Sequence, residues 1–415
     1  MVAWAALATA TVTFVGLVVV LTPWDRLPGA RVTPAVVSDY FTPAQISRSN
    51  AFFAAARWPS WLSLILGLVV VIVVGLTPLG RRLVSLVRRR VRGWWQQVIC
   101  LVVAVTALQQ VVTLPTAAWS QHVALRYGLA TQSWPSWVLD VVKSFAISVM
   151  LTSLALVLLV GLARRFTRTW FLPAAVGAGA LVLAGSFAYP LVVEPVFNTF
   201  VPLQDGPLRT HLLALAAEDG VQVSDVLVAD ASRRTTALNA YVSGFGSTKR
   251  IVVYDTLLDS TPDSQIELIV AHELGHATSD DVLVGTLEGA VAAAMAVLAL
   301  FIALRPDRLR RAVGAGSAGD PAVVPVVLAL AAVVTLLGSP VQNAVSRQIE
   351  ARADAHSLDL TGDSVDFIKL QRRLAVTNIA HLEPNPVLAF WFNSHPATLD
   401  RIGMALAWER LHHTQ

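Results

Sequence analysis

Charge is scarce in this 415-residue sequence: Asp, Glu, Lys and Arg together make up 14% of it, where a soluble domain averages about a quarter. With 55% apolar residues and a mean hydropathy of +0.62, that scarcity excludes an ordinary soluble domain. It fits a polytopic membrane protein with a modest polar portion. Cysteine is nearly absent. The lone Cys100 excludes an internal disulfide and reads as a small apolar core residue. Lysine is confined to Lys143, Lys249 and Lys369, so almost all positive charge is arginine, the usage of a GC-rich bacterial genome. A formal net charge of only +4 excludes nucleic-acid binding through bulk charge.

Long hydrophobic runs are abundant. A membrane span needs about 20 mostly apolar residues, and seven segments qualify: 2–21, 61–79, 94–114, 138–162, 171–193, 282–304 and 323–345. The first has no basic leader and no small-residue cleavage site close behind it, so it is read as a retained anchor. Before the second, Thr42, Pro43 and Gln45 form a helix-start signature, predicting a short amphipathic helix at the membrane surface. The stretch VGAGSAGDPA at 313–322 reads as a flexible loop. Two polar regions are large enough to fold. Residues 194–280 carry strand-like runs, DVLVAD and RIVVYDTLL, with GFGSTKR as a hairpin turn, and 346–415 are helical by pattern. The expected division is a membrane region at 1–193 and a catalytic region at 194–415. The expected fold class is an all-α integral membrane protein with about seven spans and a small α+β portion.

Orientation follows from short loops, whose arginines stay in the cytoplasm. Loop 80–93 carries Arg81, Arg82, Arg88, Arg89, Arg90 and Arg92. Loop 163–169 carries Arg164, Arg165 and Arg168, and loop 305–311 carries Arg305, Arg308, Arg310 and Arg311. The opposing short loop, 116–136, has only Arg126. Seven spans put the three basic loops on one side, predicted cytoplasmic, and both polar regions on the extracytoplasmic side.

The chemistry is carried by IVAHELGHATSDD, which holds His272, Glu273 and His276 in the pattern H-E-x-x-H. Two histidines four apart on a helix point the same way and can share a tetrahedral metal ion. Glu273 lies beside them, where a carboxylate can take a proton from water. A third protein ligand must come from the same membrane side, and the chain returns there at SRQIEARADAHSLDL. Glu350 is the candidate ligand, and Asp354, one helical turn on, is placed to accept the N–H of a ligating imidazole. Glu288 lies about 24 Å along a helix from His272 and cannot reach the same ion. As an ionisable group inside a span it points to a water-filled cavity. His356 faces away from the Glu350 side and reads as a surface residue. In FNSHPATLDRI, His395 and Arg401 lie on the same side as the metal motif, where each is a candidate donor to a tetrahedral oxyanion.

These residues resemble the type I CAAX prenyl endopeptidases, polytopic zinc metallopeptidases of the membrane. DYFTPAQISR and GLTPLGRRL are similar to the N-terminal part of that family. EPVFNTFVPLQDGPLR is similar to the lead into its catalytic half, and ASRRTTALNAYVSGFGSTKRIVVYDTLL to the stretch before its metal motif. AHELGH, EARAD and SHPATLDRI follow in the family's order, so the resemblance covers most of the chain from Asp39 to Ile402. It implies helices around a hydrated chamber and one zinc ion held by His272, His276 and Glu350. It also implies Glu273 as base, with Asn239, His395 and Arg401 as active-site neighbours. Asn239 would hold a substrate backbone along a strand edge. The chain departs from the eukaryotic members in the acidic ATSDD after the metal motif, and in arginine loops that put the active side outside rather than toward the cytosol.

The expected activity is zinc-dependent hydrolysis of peptide bonds, acting on a peptide or protein substrate that can be membrane-associated. The expected setting is the lipid bilayer of the cell membrane. Two other readings stay open at this stage: a broad-specificity protease for membrane-protein quality control, and a non-catalytic seven-span scaffold or transporter with a relic metal site.

Overall fold

The computed structural model of the chain describes residues 1–413. Its first half is helical: α1 (Val2–Leu21), α2 (Val37–Tyr40), α3 (Pro43–Leu76), α4 (Pro78–Arg90), α5 (Trp94–Arg126), α6 (Trp134–Arg165), α7 (Phe171–Ala188) and α8 (Glu194–Phe197). A π-helical turn at Tyr189–Val193 joins the last two. Further on come α9 (Pro207–Glu218), α10 (Asp255–Ser260), α11 (Asp263–Thr278), α12 (Asp281–Ala303), α13 (Asp307–Val313) and α14 (Val324–Thr361). α15 (Ser364–Thr377), α16 (Pro386–Phe392) and α17 (Thr398–His413) complete the helices. Among the described residues seven helices are long and apolar enough to cross a membrane; five contain the segment read from the sequence, while 61–79 and 282–304 run past the ends of theirs at Leu76 and Ala303.

Local chemistry corrects three expectations. The signature at Thr42 does start a helix: Thr42 Oγ1 accepts from Gln45 N–H (3.3 Å) and Gln45 Oε1 from Thr42 N–H (2.9 Å). That helix is not short, because α3 runs 34 residues through Pro59 and on through the second span. Proline removes one hydrogen bond from a helix interior, but Pro59 is buried and tertiary packing holds the helix together. The 80–93 segment is largely helical, since Thr77 caps α4 by accepting from Leu79 N–H and Pro78 occupies its first position. The glycine-rich 313–322 segment is pinned rather than loose. Asp320 accepts from the backbone N–H groups of Gly316 and Ala322, both at 3.0 Å, and pairs with Arg88.

Within the helical region α12 packs on α7 and α1, while α3 packs on α5 and α14. A hydroxyl pair, Ser186 with Thr286 at 2.7 Å, joins α7 to α12. Outside it lies a four-stranded sheet, β1 (Phe200–Pro202), β2 (Val226–Ala229), β3 (Ala240–Ser243) and β4 (Arg250–Tyr254), in the order β1-β2-β4-β3. β2 and β4 are parallel, and the other pairings are antiparallel. β3 and β4 form the expected hairpin, whose turn needs Gly244 at φ +98°. β3 is an edge strand. Tyr254 N–H donates to Asn239 O, so by antiparallel alternation the backbone groups of Ala240 and Val242 face away from β4.

One apolar core ties the sheet to the helices. Val226 and Ile251 meet Leu212 of α9, Ile266 and Leu274 of α11, and Leu358 of α14, all at most 1% exposed. α11 and α14 approach closely because position 275 is glycine: a Cβ there would lie 3.0 Å from that of His356. Ser357 Oγ–H donates to Leu268 O (2.7 Å), a buried bond that fixes the two helices against each other. His356 is therefore no free surface residue. It is half-buried on Gly275, and its Nε2 lies 2.9 Å from Asp219 Oδ2.

Candidate metal centre

α11 presents His272 and His276 one turn apart, with their Nε2 atoms 3.2 Å from each other. α14 brings Glu350 to them across the helix pair. Glu350 Oε2 is 3.3 Å from His272 Nε2, and Oε1 is 3.8 Å from His276 Nε2. One donor atom from each of the three residues falls within 4.8 Å of the others. Glu350 is largely buried, with imidazole nitrogens as the neighbours of its oxygens, and a carboxylate so placed is best satisfied by a cation. Two imidazole nitrogens and a carboxylate oxygen are also the donor types of a catalytic zinc site. The residues fit a divalent metal.

Each histidine is oriented from behind by a carboxylate. His272 Nδ1 lies 2.9 Å from Oδ1 of Asp354, which is wholly buried. Arg401 on α17 holds Asp354 with two donors: Nε on Oδ2 at 2.7 Å and an Nη on Oδ1. His276 Nδ1 lies 2.9 Å from Oδ2 of Asp281, and Arg352 of α14 holds the other oxygen of Asp281. Asp354 behind a ligating histidine was expected from the sequence; Arg401 on Asp354, and Asp281 with Arg352, were not. The available signal was the acidic ATSDD, whose last residue reaches back because Asp280 adopts a left-handed conformation (φ 51°) at the head of α12. Burial disfavours a charged His272, but Asp354 and Glu350 outweigh it and lift its pKa to about 10. The surroundings of the motif thus favour positive charge.

Glu273 faces a cavity of about 600 Å³ whose walls include Asn239, Tyr241, Glu350, His395 and Arg401. A second cavity, of about 420 Å³, meets the first at Glu273 and His276 and continues toward α7 and α12 along Phe187, Val242 and Leu283. Burial raises the Glu273 carboxyl above its ordinary range, while His272 and His276 pull it the other way. His395 comes within 3.3 Å of Glu350 Oε1, and its Nδ1 is 2.9 Å from Ser394 Oγ. Burial lowers its pKa, against the pull of Glu350. Arg401 reaches the cavity wall with two of its donors already engaged by Asp354, where the sequence suggested donation to an oxyanion. Asn239 stands at the start of the free edge of β3. Glu288 lies on α12 outside the donor cluster, with one oxygen buried and unpartnered.

A family profile described as CAAX prenyl protease N-terminal, five membrane helices, matches residues 27–199. A second, Peptidase family M48, matches residues 202–409, half of the chain. The chain belongs to peptidase family M48. Among M48 relatives, the uncharacterized metalloprotease YhfN of Bacillus subtilis is 32% identical over 331 residues, 77% of this chain and 78% of that protein. CAAX prenyl protease 1 of Saccharomyces cerevisiae is 25% identical over 325 residues, covering 74% and 71% of the two chains. The crystal structure of S. mikatae Ste24p shares the fold, with a TM-score of 0.80 over 97% of this chain and 98% of that one at 21% identity. This M48 chain is a multi-pass membrane metalloprotease resembling CAAX prenyl endopeptidases, and it uses a metal cofactor. The scaffold and quality-control readings are not favoured.

Proposed function

We propose that the protein is a zinc endopeptidase in which His272, His276 and Glu350 hold the ion and Glu273 is the general base. The observation that carries this reading is the convergence of the three donors, one atom from each within 4.8 Å of the others. Zinc, when bound, polarises the scissile carbonyl and lowers the pKa of water. Glu273 takes the proton of the attacking water and passes it to the leaving amine. His395, at the cavity wall, donates to the developing oxyanion. Arg401 acts through Asp354, keeping His272 in the tautomer that turns Nε2 toward the ion, and Asp281 does the same for His276.

The free edge of β3 accepts an extended peptide. Its outward backbone groups offer main-chain hydrogen bonds, with Asn239 at one end and Glu273, which Val242 N–H already reaches, alongside. The substrate is accordingly an unfolded segment of a peptide or protein, seated across the two cavities that meet at Glu273 and His276. Residues 194–415 form the catalytic region and 1–193 the membrane region.

We place the catalytic side outside the cytoplasm. The three arginine-bearing connections between spans support this, against Arg126 alone on the opposing short loop.

The test is metal analysis and cleavage of a quenched peptide by the purified full chain. About one zinc per chain, lost in Glu350→Ala together with cleavage, is expected, since two ligands hold zinc poorly. Full zinc and full cleavage by Glu350→Ala would overturn the ligand assignment.

A further inference from the structure

Three connections between spans form one face of the molecule: α4 between α3 and α5, the 166–170 turn between α6 and α7, and α13 with 314–323 between α12 and α14. They are packed together rather than separate. α13 lies on α4. Arg88 of α4 pairs with Asp320, and Arg164 at the end of α6 donates to Gly319 O at 3.4 Å. Gly319 is held so closely that a Cβ there would lie 2.9 Å from Arg164 N.

This face has far more arginine than it uses. Asp307 and Asp320 are its acidic residues, and they take Arg310 and Arg88. Arg164, Arg165 and Arg305 lie over the rings of Trp94, Phe166 and Phe301 at 5.4, 5.2 and 5.8 Å. On and just after α4, Arg81, Arg82, Arg89, Arg90 and Arg92 are exposed with no acidic partner among the described residues. Arg168, Arg308 and Arg311 are in the same condition.

α4 is also amphipathic along its length. Val84 is buried against the helical core, with Leu83 and Val87 packed beside it. Leu79 and Leu86, each 49% exposed, stand among the arginines, and Trp95, 48% exposed, follows at the start of α5. Apolar side chains and tryptophan interleaved with unpaired arginine mark the level where acyl chains meet headgroups.

We infer that α4, with the 166–170 turn and α13, is a docking surface for anionic phospholipid headgroups. The occupant is a lipid rather than a soluble polyanion because the surface joins the ends of the spans and carries exposed Leu79, Leu86 and Trp95 beside its charge. The arginines supply phosphate contacts and the apolar side chains seat in the acyl region. A juxtamembrane arginine contributes about 1 kcal/mol to binding an anionic leaflet, roughly fivefold in affinity.

The test uses the full chain in neutral detergent micelles with a dye-labelled short-chain phosphatidylglycerol, and phosphatidylcholine as control. The triple variant R89Q/R90Q/R92Q should lose on the order of 100-fold in phosphatidylglycerol affinity, while R89K/R90K/R92K stays near wild type. Both should cleave a soluble peptide as the wild type does, since the surface lies at the far ends of the spans from the metal centre. Equal wild-type affinity for the two lipids, or undiminished phosphatidylglycerol binding by the glutamine variant, would overturn the proposal. So would full displacement by equimolar inorganic phosphate, which would make the surface a soluble-anion site. Should the glutamine variant fail to fold, wild-type binding must weaken as salt rises, and salt-independent binding refutes the inference.

Discussion

Arg352 on α14 clamps one oxygen of Asp281 at the head of α12, and the other oxygen lies 2.9 Å from His276 Nδ1. The clamp leaves Asp281 little choice of rotamer, so its carboxylate fixes the ring plane of His276. Asp281→Asn keeps the shape and removes the charge. Metal affinity, measured by competition with a chromophoric chelator, should fall on the order of 10–100-fold. Arg352→Gln should weaken it less, because Asp281 would remain but turn more freely. Unchanged affinity in both variants would reduce this chain of contacts to packing.

Glu273→Gln separates chemistry from metal binding. The amide fills the same space and leaves the three donors untouched. Zinc content should match the wild type while turnover falls by roughly two to four orders of magnitude. Wild-type cleavage by this variant would remove Glu273 from the mechanism.

Gly275 is explained by its neighbour. A Cβ at that position would meet three ring or Cβ atoms of His356 at 3.0–3.1 Å. Gly275→Ala should destabilise by about 1–3 kcal/mol through overpacking, read as a drop in the thermal midpoint. His356→Ala should remove the part of that penalty due to the ring, leaving the Cβ contact, in the double variant, although alone it costs the contact with Asp219. Additive effects in the double-mutant cycle would refute the proposed clash.

The side of the membrane can be read by thiol labelling in a Cys100→Ala background. Asp205 has a side chain 97% exposed on the sheet side, and Ser317 lies exposed on the arginine face. In intact cells Asp205→Cys should react with an impermeant reagent and Ser317→Cys should not. The opposite pattern would put the metal centre in the cytoplasm.

Much of the site was legible because helices impose fixed spacing. His272 and His276 had to share a face, and so did Glu350 and Asp354. Their meeting across α11 and α14 was inferred from the chain's return to the same membrane side. Asp281 was not legible, since its approach to His276 depends on the left-handed turn at Asp280, which no spacing rule encodes. Arg401 was placed near the site correctly, but its engagement with Asp354 is a tertiary choice. The fold shows the same division. Hydropathy located all seven spans, yet the helix begun at Thr42, expected to be short, runs on through Pro59 into the second. The glycines of 313–322 suggested mobility, but Asp320 holds the segment through the backbone of Gly316 and Ala322.

α14 is both a membrane span and the carrier of Glu350. At 38 residues it is about 57 Å long, well beyond a hydrocarbon core of about 30 Å. α11, which carries the histidines, packs on β3 before it turns into α12. A rod that tilts with bilayer thickness would drag one ligand past the other two. The buried Ser357–Leu268 bond, the Arg401–Asp354 pair and the Gly275–His356 contact lie on the protruding stretch of that rod. They register Glu350 against α11 rather than against the lipid, so the metal geometry is insulated from the mechanics of the membrane.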